Sequence, residues 1–259
     1  MYDGTPCPRE GHPHDVGAYD AKLRIQYGGK DHRRYGECAG SGEPVRATEC
    51  DAALAGDRSG VDGNRPGAAD IDGISVDLST PLEQDSAVAF IRPDSEKGLE
   101  IVRHSTSHVM AQAVQELYAG VKVTIGPAIE DGFYYDFDYA PGFTEEDLVK
   151  IEDRMKDLVR MDLPIVRKMV NKEEAIEMFR KMGENFKVEL IESINDPEVS
   201  LYTQGNFTDL CRGPHLPSTG KIGAFKLLSL AGAYWRGDEK NKMLTRIYGI
   251  TFPKQRMLD

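Results

Sequence analysis

Histidine and cysteine residues cluster in two short segments of the chain. The first, His104-Ser105-Thr106-Ser107-His108, places two imidazoles four residues apart on a predicted helix, so that one turn brings them to the same face. The second, Asp209-Leu210-Cys211-Arg212-Gly213-Pro214-His215, holds a cysteine and a histidine at the same spacing. The chain has six histidines, and the three beyond residue 32 all lie in these segments, as does the only cysteine beyond residue 50.

The side chains of His104, His108, Cys211 and His215 form a donor set that fits tetrahedral zinc. The same set also fits a metal-free polar site, because imidazole and thiol groups can bind and orient water or a substrate carbonyl. Either pair alone carries little weight, since two histidines on a helix often lie only at a surface. Their combination with Asp209 and a Gly-Pro turn favours a functional site.

Helices with recognisable ends must position the first segment and support the second. The first predicted helix carries both histidines of the first segment. The starts of the predicted helices are marked by residues whose side chains can accept hydrogen bonds from backbone N–H groups, and their ends by glycine or by a following proline. The three predicted helices run from Asp94 and Ser95 to about Gly120, from the Thr144-Glu145-Glu146-Asp147 capping box to before Pro164, and from Asn171 to Gly183.

Beyond residue 183 the sequence becomes rich in strand-forming residues. The pattern predicts strands over residues 186–190, 201–203, 207–211, 225–230 and 243–250. Lys187 falls in the first of these, where a lysine is usually a solvated edge residue. Residues 94–259 are therefore predicted to be α+β, with helices packed on a mostly antiparallel sheet.

The N-terminal part of the chain differs in composition. Residues 1–70 hold 12 of the 26 glycines and 3 of the 4 cysteines but few large aliphatic side chains. Residues 1–20 are expected to be a disordered tail, and residues 21–93 a small β-rich module. Within that module, residues 23–27 alternate as a short strand, residues 47–55 form a weak helix, and Ile71-Asp72-Gly73-Ile74 forms a hairpin turn.

Charge and length exclude several classes of protein. The 259 residues carry a net charge of −11, which argues against a general DNA-coating protein but allows local contact with nucleic acid. No stretch approaches the ~18 apolar residues of a membrane span, and the first residues do not resemble a signal peptide. The cysteines form no CxxC pair, so we expect a cytoplasmic location with reduced thiols.

Two further stretches have a functional and a structural interpretation. Residues 216–259 hold eight lysines and arginines against three acidic residues, with Tyr234 and Trp235 among them. This stretch could contact phosphates and stack on bases, or could equally be a solvated sheet edge plugged by the tryptophan. Around Gly132-Phe133-Tyr134-Tyr135-Asp136, the residue types alone favour a hairpin and core strand.

Taken together, the motifs resemble the N-terminal half of bacterial threonyl-tRNA synthetases. The similarity extends in register over about residues 70–252. It rests on Arg103-His104-Ser105-Thr106-Ser107-His108, Ile125-Gly126-Pro127, Gly132-Phe133-Tyr134-Tyr135-Asp136, Asp209-Leu210-Cys211-Arg212-Gly213-Pro214-His215, Ala231-Gly232-Ala233-Tyr234-Trp235-Arg236-Gly237-Asp238, Asn241-Lys242-Met243-Leu244 and Arg246-Ile247-Tyr248-Gly249.

The resemblance implies a ubiquitin-like TGS module over residues 21–93, which this sequence matches poorly over 1–69, and an editing domain over residues 94–259. It implies hydrolysis of serine from threonine tRNA, with the tRNA 3′ end as partner and a synthetase core in the same chain or in another. No class II core motif is present, so this chain is expected not to ligate threonine by itself. It would be a piece of a synthetase or a freestanding editing factor.

The resemblance also assigns site residues. These residues match those of the family's editing site. Our hypothesis for their roles gives His104 and Lys187 the activation of water or the stabilisation of the oxyanion, and Asp209 the binding of the serine amino group or of a neighbouring base. The implied catalytic set is His104, His108, Lys187, Asp209, Cys211 and His215; the implied substrate-binding set is Tyr134, Tyr135 and Arg212.

Zinc and a non-catalytic role remain open from the sequence. Related alanyl editing domains use the His/Cys pattern for zinc, whereas in the threonyl branch the resemblance implies that no metal is required. A zinc-binding or tRNA-binding module that only positions tRNA for a synthetase core is the main alternative. Editing of another amino acid, such as alanine, is a third.

Overall fold

A computed structural model describes residues 66–82 and 86–258, together with the backbone of residues 23–25. The predicted α+β class is confirmed, because the described residues form helices and antiparallel sheets, and helices pack on the two sheets beyond residue 94. The predicted tail at 1–20 and the weak helix at 47–55 lie outside the described residues. In the described part of the chain, every helix is too short or too polar to cross a membrane.

The first sheet precedes the long helix of the candidate site. Its spatial order is β1-β4-β2-β3, all antiparallel. The predicted hairpin is confirmed: Asp72 (φ 51°) and Gly73 (φ 88°) form a two-residue turn between the paired Ile71 and Ile74. The strands are β1 (Leu23–Ile25), β2 (Ala68–Ile71), β3 (Ile74–Val76) and β4 (Ser86–Ile91).

A long buried helix, α1 (Glu96–Leu117), carries the first histidine segment. Ser95 caps it by accepting the Gly98 N–H at 3.1 Å, as predicted. The helix packs on a five-stranded antiparallel sheet of order β11-β12-β7-β5, with β6 paired to β7. These strands are β5 (Lys122–Val123), β6 (Ala128–Ile129), β7 (Gly132–Asp138), β11 (Ala224–Tyr234) and β12 (Met243–Phe252).

Alternate side chains of strand β7 point into the main core. Phe133, Tyr135 and Phe137 are fully buried in the main core, which α1 also lines. A second helix, α2 (Glu145–Arg160), packs on α1 and on β11. Its predicted capping box is present, since the Thr144 hydroxyl accepts the Asp147 N–H while the Asp147 carboxylate accepts the Thr144 N–H.

A third sheet and two helices form a smaller core beside the first. The sheet has the antiparallel order β10-β9-β8, built from β8 (Ile165–Asn171), β9 (Glu198–Gln204) and β10 (Phe207–Leu210). Helix α3 (Lys172–Met182) begins at its Asn171 cap and ends at Gly183, which has a left-handed φ of 72°. Both ends agree with the predicted ones.

The strand predicted over residues 186–190 is wrong. This segment is helical and belongs to α4 (Asn185–Glu192). Its alternating Phe-Lys-Val-Glu-Leu letters fit a strand, but Val188 and Ile191 are three residues apart and together enter the smaller core with Phe179 of α3. The expected solvated lysine is therefore also wrong, because Lys187 is only 2% exposed.

Candidate active site

The two predicted segments meet at the middle of α1. The Cys211 sulfur lies 3.2 Å from His104 Nε2 and 3.2 Å from His215 Nε2, although 107 residues separate Cys211 from His104. The imidazole centroids of His108 and His215 are 4.3 Å apart. One donor atom from each of the four residues lies within 4.8 Å of the others. We call these four residues the His/Cys cluster.

The loop that bears Cys211 and His215 is held tightly. The Gly213 N–H donates to Cys211 Sγ at 3.3 Å. Gly213 has a φ of +72°, and a Cβ at that position would lie 1.8 Å from the Tyr202 hydroxyl oxygen. Only glycine can take this backbone conformation so close to the tyrosine. The Gly-Pro turn noted in the sequence therefore fixes the loop against β9.

A buried ion pair adjoins the His/Cys cluster. Lys187 Nζ pairs with Asp209 Oδ1, and both side chains are 2% exposed. Lys187 also donates to the Tyr135 hydroxyl oxygen at 3.0 Å, and that hydroxyl donates to Asp209 Oδ2 at 2.6 Å. Asp209 Oδ2 lies 3.8 Å from His108 Nδ1. The triad of Lys187, Asp209 and Tyr135 thus joins α4, β10 and β7 behind the histidines.

Burial keeps the His/Cys cluster uncharged. It lowers the pKa of His104 to about 4, against a partial opposing effect of Asp209, and lowers the pKa values of His108 and His215 well below 6.5. Burial raises the pKa of the Cys211 thiol to about 12. Near neutral pH the site therefore presents three neutral imidazoles and a thiol next to the Lys187–Asp209 pair.

The cluster opens to solvent through a cleft of about 390 Å³. His104 lines this cleft, together with Lys97, Glu100 and Ile101 of α1. Pro127 and Ala128 form another part of its wall, and so do Gly213 and Pro214 of the cysteine loop and Ser75 of β3. The volume lies in the range of small-molecule sites.

Known proteins are similar to this chain in sequence. Residues 199–248, which span β9, β10, the cysteine loop and much of the β11–β12 pair, match the family model described as the threonyl and alanyl tRNA synthetase second additional domain. The chain is 58% identical to the threonine–tRNA ligase of Acidithiobacillus ferrooxidans over 190 residues, which are 73% of this chain and 30% of that protein.

Two more threonine–tRNA ligases show the same extent of similarity. That of Citrifermentans bemidjiense is 58% identical over 192 residues, and that of Rhodospirillum rubrum is 57% identical over 194 residues; each match covers 74% of this chain and 30% of the relative. The resemblance to the N-terminal region of bacterial threonyl-tRNA synthetase is confirmed. The chain spans about 30% of the length of these curated relatives. The TGS character of residues 21–93 stays a prediction.

Not all residues expected at the synthetase-like site reach the His/Cys cluster. Tyr135 does, through the triad, whereas Tyr134 points to the opposite face of β7, where the Arg246 guanidinium lies 3.6 Å from its ring centroid. Arg212 is exposed beside Cys211. Trp235 is buried and its indole N–H donates to Glu189 of α4, which favours the plug interpretation of that tryptophan.

Three contributors were missed by the sequence reasoning. Ser105 Oγ lies 3.2 Å from His215 Nδ1 and accepts the Leu216 N–H at 2.9 Å. Tyr202 packs its ring 4.4 Å from that of His215, and Asp77 binds both Tyr202 and the His215 backbone. Ser105 could have been noticed inside the histidine motif, but only the tertiary fold brings Asp77 and Tyr202 to the cluster.

The His/Cys cluster fits a zinc ion by its chemistry. Bond lengths of about 2.0–2.3 Å imply ligand separations of about 3.3–3.8 Å in a tetrahedron, close to the 3.2 Å between Cys211 Sγ and each of two imidazole nitrogens. Outer partners are also in place, because His215 Nδ1 faces Ser105 Oγ and His108 Nδ1 faces Asp209. Thiol-to-imidazole hydrogen bonds account for the same distances without metal.

Proposed function

We propose that this chain edits tRNA by hydrolysing the ester that joins serine to threonine tRNA. The observation that carries the proposal is the buried Lys187–Asp209 ion pair, whose carboxylate lies 3.8 Å from His108 in the same cluster that presents the neutral His104 to an open cleft. An ammonium group kept in a water-poor site is suited to stabilise the negative oxygen that develops when water attacks an ester carbonyl. The similarity to threonine–tRNA ligases supplies the substrate class.

His104 would hold the attacking water. Its imidazole lines the cleft and has a pKa of about 4, so it accepts a hydrogen bond from water but retains a proton poorly near neutral pH. We therefore assign it mainly to orienting water, with the proton passing on to the ribose oxygen that leaves. His108, Cys211 and His215 would shape and polarise this wall of the pocket.

Lys187 and Asp209 would divide the two charges of the reaction. The Lys187 ammonium faces the developing oxyanion, and the Asp209 carboxylate attracts the positively charged amino group of serine. Tyr135 fixes the positions of both charged groups, because its hydroxyl accepts a hydrogen bond from Lys187 and donates one to Asp209. Burial raises the pKa of Tyr135 well above 10, so this hydroxyl retains its proton.

A separate hydrolytic site is useful because a binding pocket for threonine discriminates poorly against serine. Serine lacks one methyl group of threonine, and a missing methyl in a pocket is worth only ~1–3 kcal/mol of discrimination. A site that admits serine and excludes the larger threonine corrects the resulting errors. The same argument would fit alanine, and the similarity to threonine–tRNA ligases favours serine.

The proposed partner is the 3′ end of threonine tRNA, delivered by a synthetase core in the same or another chain. In this organisation residues 94–259 form the editing domain and residues 21–93 a TGS-like module. Because the net charge is −11, we expect only local contacts with phosphates, from basic side chains such as those of residues 216–259. No DNA or membrane partner is proposed.

A non-catalytic zinc-binding or tRNA-binding module is the second candidate, favoured by the completeness of the four-donor set. If zinc were bound, His104, His108, Cys211 and His215 would hold it, and in this candidate it would stabilise the fold as a structural ion. The first proposal does not require a metal.

The two candidates are separated by the release of amino acid from charged tRNA. The 259-residue chain is mixed with threonine tRNA charged with serine and, in parallel, with threonine, and free amino acid is measured against time. Editing predicts release of serine but not of threonine. Binding to tRNA with one equivalent of zinc and no release of serine would support the non-catalytic module instead.

A further inference from the structure

Asp77 connects the first sheet to the candidate active site. It directly follows β3, and its carboxylate is buried against β9 and the cysteine loop. Oδ1 accepts the backbone N–H of His215 at 2.9 Å, and Oδ2 accepts the Tyr202 hydroxyl at 2.7 Å. These partners are 138 and 125 residues away along the chain. A single side chain at the end of β3 thus holds two groups next to the His/Cys cluster.

A buried carboxylate needs a reason, because burial of a charge is costly unless hydrogen bonds compensate it. Here both oxygens are used, and both donors are neutral groups of the site. Without Asp77, the His215 N–H and the Tyr202 hydroxyl would lose their acceptor inside the protein. The backbone on both sides of Asp77 is fixed, because Val76 pairs with Ala69 and Leu78 is buried in the core of the first sheet.

Four residues hold His215 in place. Asp77 fixes its backbone, Ser105 of α1 faces its Nδ1 at 3.2 Å, and Cys211 faces its Nε2 at 3.2 Å. The Tyr202 ring packs on the imidazole at 4.4 Å, and the Tyr202 hydroxyl is itself oriented by Asp77. Loss of Asp77 would therefore release both the backbone and one face of the His215 ring.

We infer that Asp77 is a positioning residue of the candidate active site, through which the first sheet keeps His215 and the cysteine loop in their productive arrangement. The inference rests on the proposed function for its kinetic consequence, although not for its geometry. Small displacements of catalytic groups are expensive, since a shift of about 1 Å can lower a rate by about a hundredfold. The first sheet would thus be a working part of the editing site.

Kinetics on the full chain test this inference. For the seryl ester of threonine tRNA, we expect Asp77→Ala to lower kcat at least about tenfold while KM changes less than about twofold. Asp77→Asn should retain at least about half of the wild-type kcat, because its amide can accept from the His215 N–H and donate to the Tyr202 oxygen.

The control variant is Asp162→Ala. The Asp162 carboxylate also accepts one backbone N–H, that of Gly220, and one hydroxyl, that of Ser218, but it lies outside the site. Asp162 has a φ of 48°, so alanine there also adds backbone strain. We expect wild-type kcat from this variant. Full kcat in Asp77→Ala, or an equal loss in both alanine variants, would overturn the inference.

Two further measurements keep the test decisive. If Asp77→Ala does not fold, Tyr202→Phe removes only one of the two bonds and should lower kcat about threefold, whereas unchanged kcat would contradict the inference. Imidazole ¹⁵N chemical shifts of His215 report position without any activity. They should move in Tyr202→Phe and in folded Asp77→Ala but not in Asp162→Ala. A wild-type chain that releases no serine would refute the proposed function, and these shifts alone would then decide the role of Asp77.

Discussion

Acid should destabilise this protein through its buried histidines. His104 has a pKa of about 4 in the folded chain and 6.5 as its ordinary value, which we take for the unfolded chain. Between these values the unfolded state binds a proton that the folded state does not, so the unfolding free energy falls as pH falls. His108 and His215 act in the same direction, because burial also lowers their pKa values.

The contribution of His104 can be worked out from its two pKa values. Lowering the pH from about 7.5 to about 5 leaves the folded imidazole mostly neutral and the unfolded one almost fully protonated. The corresponding loss of unfolding free energy is ~2 kcal/mol from this residue alone. That is a large part of the 5–15 kcal/mol that is typical of a folded domain.

Urea unfolding at about pH 7.5 and about pH 5 measures the effect, with His104→Gln as the matched variant. The variant should lose ~2 kcal/mol less than the wild type on acidification, because glutamine does not titrate. Glu184, whose pKa is raised by burial, acts in the opposite direction but is present in both proteins. Equal acid losses in the two proteins would refute the reasoning, and a change in the denaturant slope would mean that the denatured or native state had changed.

Three other predictions follow from the site. Lys187→Met leaves the Asp209 carboxylate buried without its cation and should lower the unfolding free energy, measured in urea, by ~3–5 kcal/mol. Adding Asp209→Asn should recover much of this loss, and no recovery would contradict the ion pair. Gly213→Ala should abolish serine release, because the added Cβ would overlap Tyr202. Gly120 also has a positive φ of +83°, but it has no neighbour within 4 Å, so Gly120→Ala should retain full release. Equal release by the two variants would argue against a fixed loop. Affinity for threonine tRNA should fall steeply between about 50 and about 200 mM salt in a binding titration, and a salt-independent affinity would exclude the proposed phosphate contacts.

Local signals predicted much of the fold. The starts of α1, α2 and α3 follow from Ser95, Thr144 and Asn171, because each side chain caps backbone N–H groups within its own turn. The turn at Asp72 and Gly73 is equally local. Strand β8 was missed, since it is largely exposed and its pairing with β9 is a tertiary contact that its own residues do not announce.

The sequence singled out His104, His108, Cys211 and His215, which the fold brings together, but it did not show how the fold does so. Spacing alone placed His104 and His108 on one face of a helix, while their meeting with Cys211 depends on contacts 107 residues apart. Lys187 was identified by resemblance, but its segment was assigned to a strand. The five residues 186–190 alternate between apolar and charged side chains, and so short a segment fits the periodicity of a strand as well as that of a helix. Alternation on β7 also separates Tyr135 from Tyr134, and only the fold tells which of the two faces the triad.

The central claim is that His104 and its neighbours hydrolyse a serine ester. Single-turnover release of serine from threonine tRNA by the wild-type chain and by His104→Ala tests it most directly. The account predicts rapid release by the wild type and a rate at least about a hundredfold lower in the variant, with the fold of both confirmed by circular dichroism. Full release by a folded His104→Ala protein would contradict it.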